Sequence, residues 1–406
     1  MTRQDGSPWR LVSVVNRFPS ESETFIERKA RALISGGFDV TVAAHHIGRS
    51  SEASDASPVP MLQLPLVRSP RTWAPVLQVL VRDRAARRRV SPLLPDLRRG
   101  HSLVPIVAGG FDVVHFEFSG IAAGVADLLP RLRPSLISVS CRGAAEQIAP
   151  HQDPDRARRL AQVFREVDLI HCVSADMAEI VAGFGADRDK VVVNRPAVDT
   201  ARWSGRGRLD PGQRGTAEKP LRVLSVARLH WKKAFDDALR AVAVARRRGL
   251  HVRYRIAGEG PEREKLAYLC HSLGLEDAVE LLGWQSQDDI AAHMGWADAF
   301  LLPSLSEGIS NSALEAMAAG VPVVSTRCGG MEEALAAPDA GVLVDVGDPP
   351  QMAEALASLT DPARRRGLSS GAAAAARSGF DLSRQAQVFD DAYRTLLAGR
   401  TAGEAS

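Results

Sequence analysis

The chain has 406 residues, of which 45% are hydrophobic and 24% charged, which is the composition of a globular protein with a sizeable core. At roughly 100–200 residues per domain, this length predicts two domains. The net charge of +3 is too small to indicate nucleic-acid binding. The sequence contains no apolar run of about 18 residues that predicts a membrane-spanning helix. The polar start, Met1 to Arg10, lacks the apolar core of a signal peptide, so we expect a cytoplasmic protein.

The cysteines and histidines give little support for a metal site. Cys141, Cys172, Cys270 and Cys328 lie far apart and form no C-x-x-C pair, and the histidines form no H-E-x-x-H motif. We therefore expect neither a catalytic metal nor another cofactor.

The first half of the chain alternates apolar runs with helical patterns, which predicts a parallel sheet with helices on both faces. A helix is predicted at Glu23–Ser35. The predicted strands are Leu11–Val15, Val40–Ala44, Val113–Phe116, Leu136–Val139 and Leu169–Val173.

An arginine-rich stretch interrupts this alternation. Between Arg82 and Arg99 there are seven arginines against Asp83 and Asp96, a local excess of five positive charges. Such a run can attract an anionic membrane surface, although most charge runs are simply solvated helices and loops.

Ser204–Pro220 is rich in glycine, proline and charge, which marks a domain boundary. A second alternation follows it, with helices at Phe235–Arg247 and Arg263–Leu273. Its predicted strands are Arg222–Val226, Val252–Ala257, Val279–Leu282, Ala299–Leu302 and Val321–Ser325. We therefore predict two doubly wound α/β domains facing each other across a cleft, residues 1–205 and 206–382. A helix at 383–406 would, by analogy of fold, cross back to the first domain. Ligands of such sheets bind beyond the carboxyl ends of the strands.

Two basic residues follow the first strand of the second domain. Arg228 and Lys233 lie in a loop where fixed cations would stabilise the charge of a departing diphosphate. After the next strand, Gly258 and Gly260 allow a tight turn and close backbone approach, although a plain turn explains this pattern as well.

The most informative segment is Pro303–Met317, which follows a buried strand and contains Glu307 and Glu315. A helix is predicted to start near Ser310 or Asn311, and its first turn would offer free amides to an anion. Because carboxylates would repel a diphosphate, we expect the two glutamates to bind hydroxyl groups of a sugar and a ribose.

Together these segments resemble the family 4 glycosyltransferases, retaining enzymes of the GT-B architecture with two Rossmann-like domains. The resemblance covers roughly residues 10 to 395. It is carried by the two glutamates, by the basic pair in R-L-x-x-x-K, by the G-x-G-P turn and by Leu282-Gly283-Trp284.

The resemblance implies a role for each matching residue in binding a nucleotide-diphosphate sugar. Glu307 would hold the sugar hydroxyls, Glu315 the ribose, and Arg228 and Lys233 the diphosphate. The donor side would be completed by Gly258, Gly260, Trp284 at the nucleobase, and the backbone of Gly308, Ile309, Ser310 and Asn311.

In the first domain, Phe18–Phe25 reads F-P-x-x-S-E-T-F, which is similar to a branch that assembles exopolysaccharides of the colanic-acid type. Ser22 and Glu23 are therefore expected on the acceptor side. His115 resembles the family's cleft histidine, which would contact the donor sugar, although a lone histidine at a strand end is often structural. The family's H-G-x-D segment appears here as Arg142-Gly143-Ala144-Ala145, and Arg142 would take over a phosphate contact.

The resemblance implies a retaining, metal-independent hexosyltransferase acting on a glycan or lipid-linked acceptor, with possible peripheral contact with the inner face of the cell membrane. Three alternatives remain open at this point. They are transfer to a soluble small molecule, a nucleotide-sugar epimerase of the same architecture, and a non-catalytic binding partner.

Overall fold

The computed structural model describes residues 3, 5–20, 23–48, 59–65, 77–78, 81–207 and 212–404. The chain divides into two compact units. Unit 1 comprises Met1–Val173, Met177–Asn194 and Ala386–Ser406, and unit 2 comprises Ser174–Asp176 and Arg195–Gln385. The sequence places the change of domain at 205/206, whereas the main division in the structure follows Asn194.

Unit 1 is built on a seven-stranded parallel sheet in the order β3-β2-β1-β4-β5-β6-β7. In β1, Leu11 and Val12 are both fully buried although they face opposite sides of the sheet, because helices cover both faces. The strands are β1 (Arg10–Phe18), β2 (Asp39–Ile47), β3 (Met61–Gln63), β4 (Val113–Phe116), β5 (Leu136–Cys141), β6 (Leu169–Cys172) and β7 (Val191–Val193).

The helices that follow these strands in the first part of the chain are mostly short. They are α1 (Thr24–Ser35), α2 (Arg84–Val90), α3 (Leu97–Gly100), α4 (Val104–Gly109), α5 (Ser119–Gly124), α6 (Ala144–Gln147), α7 (Ala149–Gln152), α8 (Pro154–Glu166) and α9 (Ala175–Gly183). Segments of 3-10 helix lie at Ser91–Asp96, His101–Leu103, Ala126–Leu132 and Arg188–Lys190.

Unit 2 is built on a six-stranded parallel sheet in the order β10-β9-β8-β11-β12-β13. The strands are β8 (Leu221–Val226), β9 (Val252–Ala257), β10 (Val279–Gly283), β11 (Ala299–Leu302), β12 (Val323–Thr326) and β13 (Val342–Val344). The helices are α10 (Thr200–Trp203), α11 (Phe235–Arg247), α12 (Arg263–Ser272), α13 (Gln287–Trp296), α14 (Asn311–Ala319), α15 (Met331–Ala334), α16 (Pro349–Ser358) and α17 (Pro362–Gly379), with a 3-10 turn at Trp231–Lys233.

The last helix, α18 (Leu382–Glu404), begins in unit 2, and its residues from Ala386 onward belong to unit 1. There Phe389, Tyr393 and Leu397 are buried in the apolar core beside β1 and α1. These large side chains fix the helix to the first unit.

The predicted fold class is confirmed, and each predicted strand is present. Three further strands, β3, β7 and β13, were not predicted. Each has three residues and lies at the edge of its sheet, and so short a run gives no clear period-2 pattern. In the described part of the chain, no helix combines the length and the apolar character needed to cross a bilayer.

Candidate active site

The candidate active site is formed by loops that follow β8, β9, β10 and β11 in unit 2. Because all strands are parallel, the carboxyl ends of these four strands lie along the same edge of the sheet. The predicted donor residues all come from these loops or from the helix that follows the last of them.

An ion pair between Lys233 and Glu307 forms the centre of the site. Only 13% of the lysine side chain and 9% of the glutamate side chain are exposed, so the pair is largely shielded from water. The hydroxyl of the fully buried Ser304 also donates to Glu307 Oε1 at 2.9 Å. Two residues that lie 74 positions apart in the sequence are thus brought into direct contact.

The backbone of the Glu307 loop is held by three neighbours that the sequence analysis did not single out. The Leu305 amide donates to the Lys232 carbonyl at 2.8 Å, and the Thr326 hydroxyl donates to the Ser304 carbonyl at 2.6 Å. A side chain at Gly330 would lie 2.1 Å from the Gly308 carbonyl oxygen, so only glycine fits there. These contacts fix the carboxylate before any ligand arrives.

Positive charge is in excess at this edge of the sheet. Arg228 is exposed, and none of the described residues forms an ion pair with it. Burial lowers the pKa of Lys232, and nearby Lys233 and Arg228 lower it further against the opposing effect of Glu307. Lys232 thus has two cations and the Glu307 carboxylate for charged neighbours, and an anion bound there would relieve the repulsion among the three cations.

Helix α14 points its amino end at the same loops, as predicted. Its N-cap residue is Ser310, whose hydroxyl accepts from the Ala313 amide at 3.4 Å. The amides of Asn311 and Ser312 lie in the first turn, where a helix supplies no carbonyl partner, so they are available to an anion. Glu315 follows one turn later and is half-buried.

Gly258 and Gly260 act by allowing two loops to meet. A side chain at Gly258 would lie 1.9 Å from the Ala227 carbonyl oxygen, and one at Gly260 would lie 2.2 Å from the Leu229 carbonyl oxygen. The Leu229 amide also donates to the Glu259 carbonyl at 2.8 Å. The two glycines therefore position the backbone that carries Arg228, which is a more specific function than that of a plain turn.

Trp284, which the sequence analysis expected at the nucleobase, follows β10 and is 61% exposed. Its loop is joined to the glycine loop by the Gly258 amide, which donates to the Gly283 carbonyl at 2.8 Å. Such an indole face is free to stack on a planar ring. Within the described residues, no group of three His, Cys, Asp or Glu side chains could hold a metal ion.

Comparison with known proteins decides the family. Residues 22–202 match the family described as Glycosyltransferase Family 4, and residues 208–373 match Glycosyl transferases group 1. The chain is 30% identical over 379 residues to the putative colanic acid biosynthesis glycosyltransferase WcaL of Escherichia coli, which covers 85% of this chain and 89% of that protein. The chain is a family 4 glycosyltransferase.

Three further comparisons extend this result. The transferase is 27% identical to the amylovoran biosynthesis glycosyltransferase AmsK of Erwinia amylovora, over 86% of this chain and 89% of that protein. Its fold is similar to that of Anabaena HepE, solved in complex with UDP, with a TM-score of 0.69, 15% identity and coverage of 95% of this chain and 100% of that one. It is also similar to sucrose-phosphate synthase from Thermosynechococcus elongatus, with a TM-score of 0.74, 18% identity and coverage of 96% and 100%. The architecture of the transferase is thus that of the GT-B enzymes.

In unit 1 of the transferase, His115, which the sequence analysis expected to contact the donor sugar, lies in the core at β4. Its ring is fully buried, with Nδ1 at 2.6 Å from the Ser138 hydroxyl and Nε2 at 2.9 Å from the Ser140 hydroxyl. Burial lowers the pKa of His115 to about 4, so the ring is neutral at pH 7. A side chain enclosed in this way is not exposed to a donor sugar. Its surroundings favour the other reading of a histidine at a strand end, which is a structural role in the core.

Arg142 is likewise engaged inside unit 1. Its guanidinium donates to Glu117 Oε2 at 3.0 Å and lies over the Phe25 ring at 4.3 Å. Glu117 is fully buried and also pairs with Lys29. This arrangement does not favour the expected phosphate contact, because the arginine already neutralises a carboxylate. Sequence reasoning missed Glu117, although its position directly after β4 was a usable signal.

Two further residues, Ser22 and Glu23, are expected from the sequence on the acceptor side. Glu23 immediately precedes the helix as its N-cap residue, and Ser22 lies outside the described residues.

Proposed function

We propose that the transferase moves a sugar from a UDP-sugar to a glycan acceptor with retention of the anomeric configuration, without a metal ion. The observation that carries this proposal is the group of three cations, Arg228, Lys232 and Lys233, beside the amino end of α14 and the carboxylate of Glu307. This combination suits a diphosphate attached to a sugar. UDP is favoured because HepE was solved with UDP and with UDP-glucose.

In this proposal, Lys233 leaves Glu307 when the donor binds. The lysine and Arg228 then neutralise the diphosphate, and the freed carboxylate accepts hydrogen bonds from the sugar hydroxyls. Glu315 binds the ribose, and Trp284 packs against the base. Because negative charge grows on the diphosphate as the glycosidic bond breaks, the two cations stabilise the transition state more than the ground state.

The reaction proceeds by departure of UDP while the acceptor hydroxyl attacks the same face of the sugar. The bond from the anomeric carbon to the phosphate oxygen breaks, the bond to the acceptor oxygen forms, and an oxygen of the leaving phosphate takes the acceptor proton. Product analysis tests this step: the anomeric configuration of the donor should be kept, whereas an epimerised free donor would favour the epimerase alternative.

We infer that the acceptor is a lipid-linked glycan of a surface polysaccharide. Two relatives are named for colanic acid and amylovoran biosynthesis. The F-P-x-x-S-E-T-F segment at Phe18–Phe25 is similar to the branch that assembles exopolysaccharides of the colanic-acid type, which supports the same acceptor class. A screen of UDP-, GDP- and ADP-sugars with detergent extracts of polyprenyl-linked glycans tests both halves of the proposal. Transfer from a UDP-sugar to the extracted lipid is expected, and exclusive transfer to a soluble small molecule would contradict it.

Peripheral membrane contact is proposed for the arginine-rich part of unit 1. The seven arginines between 82 and 99 are all exposed, and so are the apolar side chains of Val81, Leu94 and Leu97. This combination suits an anionic bilayer, since the arginines attract lipid headgroups and the apolar side chains can enter the interface.

Co-sedimentation with vesicles rich in anionic lipid should recover the transferase at low salt. The triple variant Arg84→Ala/Arg87→Ala/Arg88→Ala should remain in the supernatant. Recovery of the triple variant equal to that of the wild type on these anionic vesicles, or no recovery of the wild type at low salt, would contradict an electrostatic attachment.

A further inference from the structure

Unit 1 contains a pocket that the donor site does not use. It lies at the carboxyl ends of β1, β2 and β4, between α5 and the segment that runs from the 3-10 turn at His101–Leu103 into α4. Its volume is about 270 Å³. The carboxyl edge of a doubly wound sheet is where ligands of such folds bind, so the position of the pocket favours a role in binding.

The lining of the pocket is predominantly apolar. Seven of the twelve lining residues carry aliphatic or aromatic side chains, among them Leu103, Ile106, Phe116 and Ile121, and two more are glycines. A sugar ring enclosed here would leave most of its hydroxyls without partners, at a cost of about 1–3 kcal/mol for each buried group. The lining therefore suits a hydrocarbon chain.

Three polar residues, Asn16, His45 and Ser102, complete the lining. Nδ1 of His45 is shielded from solvent and has no hydrogen-bond partner among the described residues. A buried polar atom without a partner is unusual in a folded protein, and here it belongs to a side chain that lines the pocket. The side chains of Asn16, His45 and Ser102 give an otherwise apolar lining a few groups that can bond to one polar group of an occupant.

The wall of the pocket continues into the surface proposed to meet the membrane. The turn at His101–Leu103 and α4 directly follow the exposed Leu94, Leu97, Arg98 and Arg99. A chain that emerges from a bilayer at this surface would meet the pocket next. Charge and position thus point to a membrane-borne occupant.

We propose that this pocket binds the hydrocarbon segment next to the phosphate of a lipid-linked acceptor. The proposal rests on the function proposed above and specifies which part of the acceptor unit 1 recognises. The pocket would hold the lipid so that its glycan is presented at a constant distance from the membrane surface.

Gly124 offers a place to add a side chain at the rim of the pocket without a clash with the fold. It lines the pocket and ends α5, and a Cβ added there meets no atom within 4 Å. Gly183 is a matched control, because it also ends a helix, α9, and a Cβ there likewise meets nothing within 4 Å. It does not line the pocket. Gly124→Leu and Gly183→Leu therefore introduce the same side chain at the rim of the pocket and away from it.

The assay is isothermal titration calorimetry of the full chain with n-alkyl phosphates from butyl to decyl, each below its micelle concentration. In the wild type, each added methylene should tighten binding about fourfold until the pocket is full. In Gly124→Leu, the added side chain displaces about three methylenes, so decyl phosphate should bind about 60-fold more weakly. Gly183→Leu should bind like the wild type.

Affinity that does not depend on chain length, or equal binding by Gly124→Leu and the wild type, would overturn the pocket assignment. UDP titrated into the same three proteins separates this result from the proposed function. Loss of chain-length dependence with UDP binding intact rejects only the pocket. Absence of UDP binding in a wild type that binds decyl phosphate rejects only the proposed donor.

Discussion

Replacing Glu307 by glutamine should strengthen the binding of UDP while it weakens catalysis. In the structure, Glu307 holds Lys233 in an ion pair that is largely shielded from water, so UDP must compete with the carboxylate for the lysine. Glutamine removes that competitor and the repulsion of the diphosphate. It keeps an oxygen that can accept from the Ser304 hydroxyl, which now lies 2.9 Å from the carboxylate.

The size of the effect follows from the bond that is lost. A hydrogen bond between charged groups contributes about 1.5–3 kcal/mol in proteins, which is about a 10- to 100-fold change in affinity. UDP should therefore bind to Glu307→Gln about 10- to 100-fold more tightly than to the wild type. Because the charged acceptor for the sugar hydroxyls is gone, kcat should fall by about the same factor.

Titration calorimetry with UDP measures the first effect, and initial rates of sugar transfer measure the second. Lys233→Met should change UDP affinity in the opposite direction, because it removes the cation itself. Glu280→Gln is the matched control: it makes the same change of charge in unit 2, at an exposed carboxylate that pairs with Arg255, and should leave UDP binding within about twofold. If Glu307→Gln bound UDP no better than the wild type, the competition between carboxylate and diphosphate would be refuted.

Gly258→Ala should destabilise unit 2 by about 3 kcal/mol or more and weaken UDP binding, because its Cβ would lie 1.9 Å from the Ala227 carbonyl oxygen. Urea denaturation measures this loss, and an unchanged midpoint would contradict it. Lys29→Met should lower the free energy of unfolding by about 3–5 kcal/mol, because it leaves the buried Glu117 without one of its cations. The control Arg188→Met breaks an exposed ion pair with Glu179 and should lower the free energy of unfolding by only about 0–1 kcal/mol. If Lys29→Met and Arg188→Met lost the same free energy, the burial of the Lys29–Glu117 pair would have no effect on stability. Acid should also destabilise unit 1, because burial lowers the pKa of His115 to about 4. Between about pH 6.5 and pH 4, the unfolded chain binds a proton that the folded chain does not. The free energy of unfolding should therefore fall by about 3 kcal/mol over this range. Urea titrations at pH 7 and pH 4 measure this change, which should shrink in His115→Gln.

Much of the fold could be predicted from the order of residues. Apolar runs long enough to form a strand, each followed by a helical pattern, specify parallel sheets covered on both faces. The same pattern places Arg228, Gly258 and Glu307 directly after strands, and therefore at one edge of the sheet of unit 2. The start of α14 was also predictable, since Ser310 and Asn311 follow a buried strand and precede an apolar helical face.

Only the tertiary structure decided which of these residues touch and which are enclosed. The sequence gives the same signal for His115 and Glu307, a polar side chain at or just after a strand end, yet one is sealed among serine hydroxyls and the other faces Lys233. It also gives no sign that Lys29 and Glu117 pair inside unit 1. The reason is physical: periodicity reports which side of one element is apolar, whereas burial and charge pairing depend on which distant element packs against it.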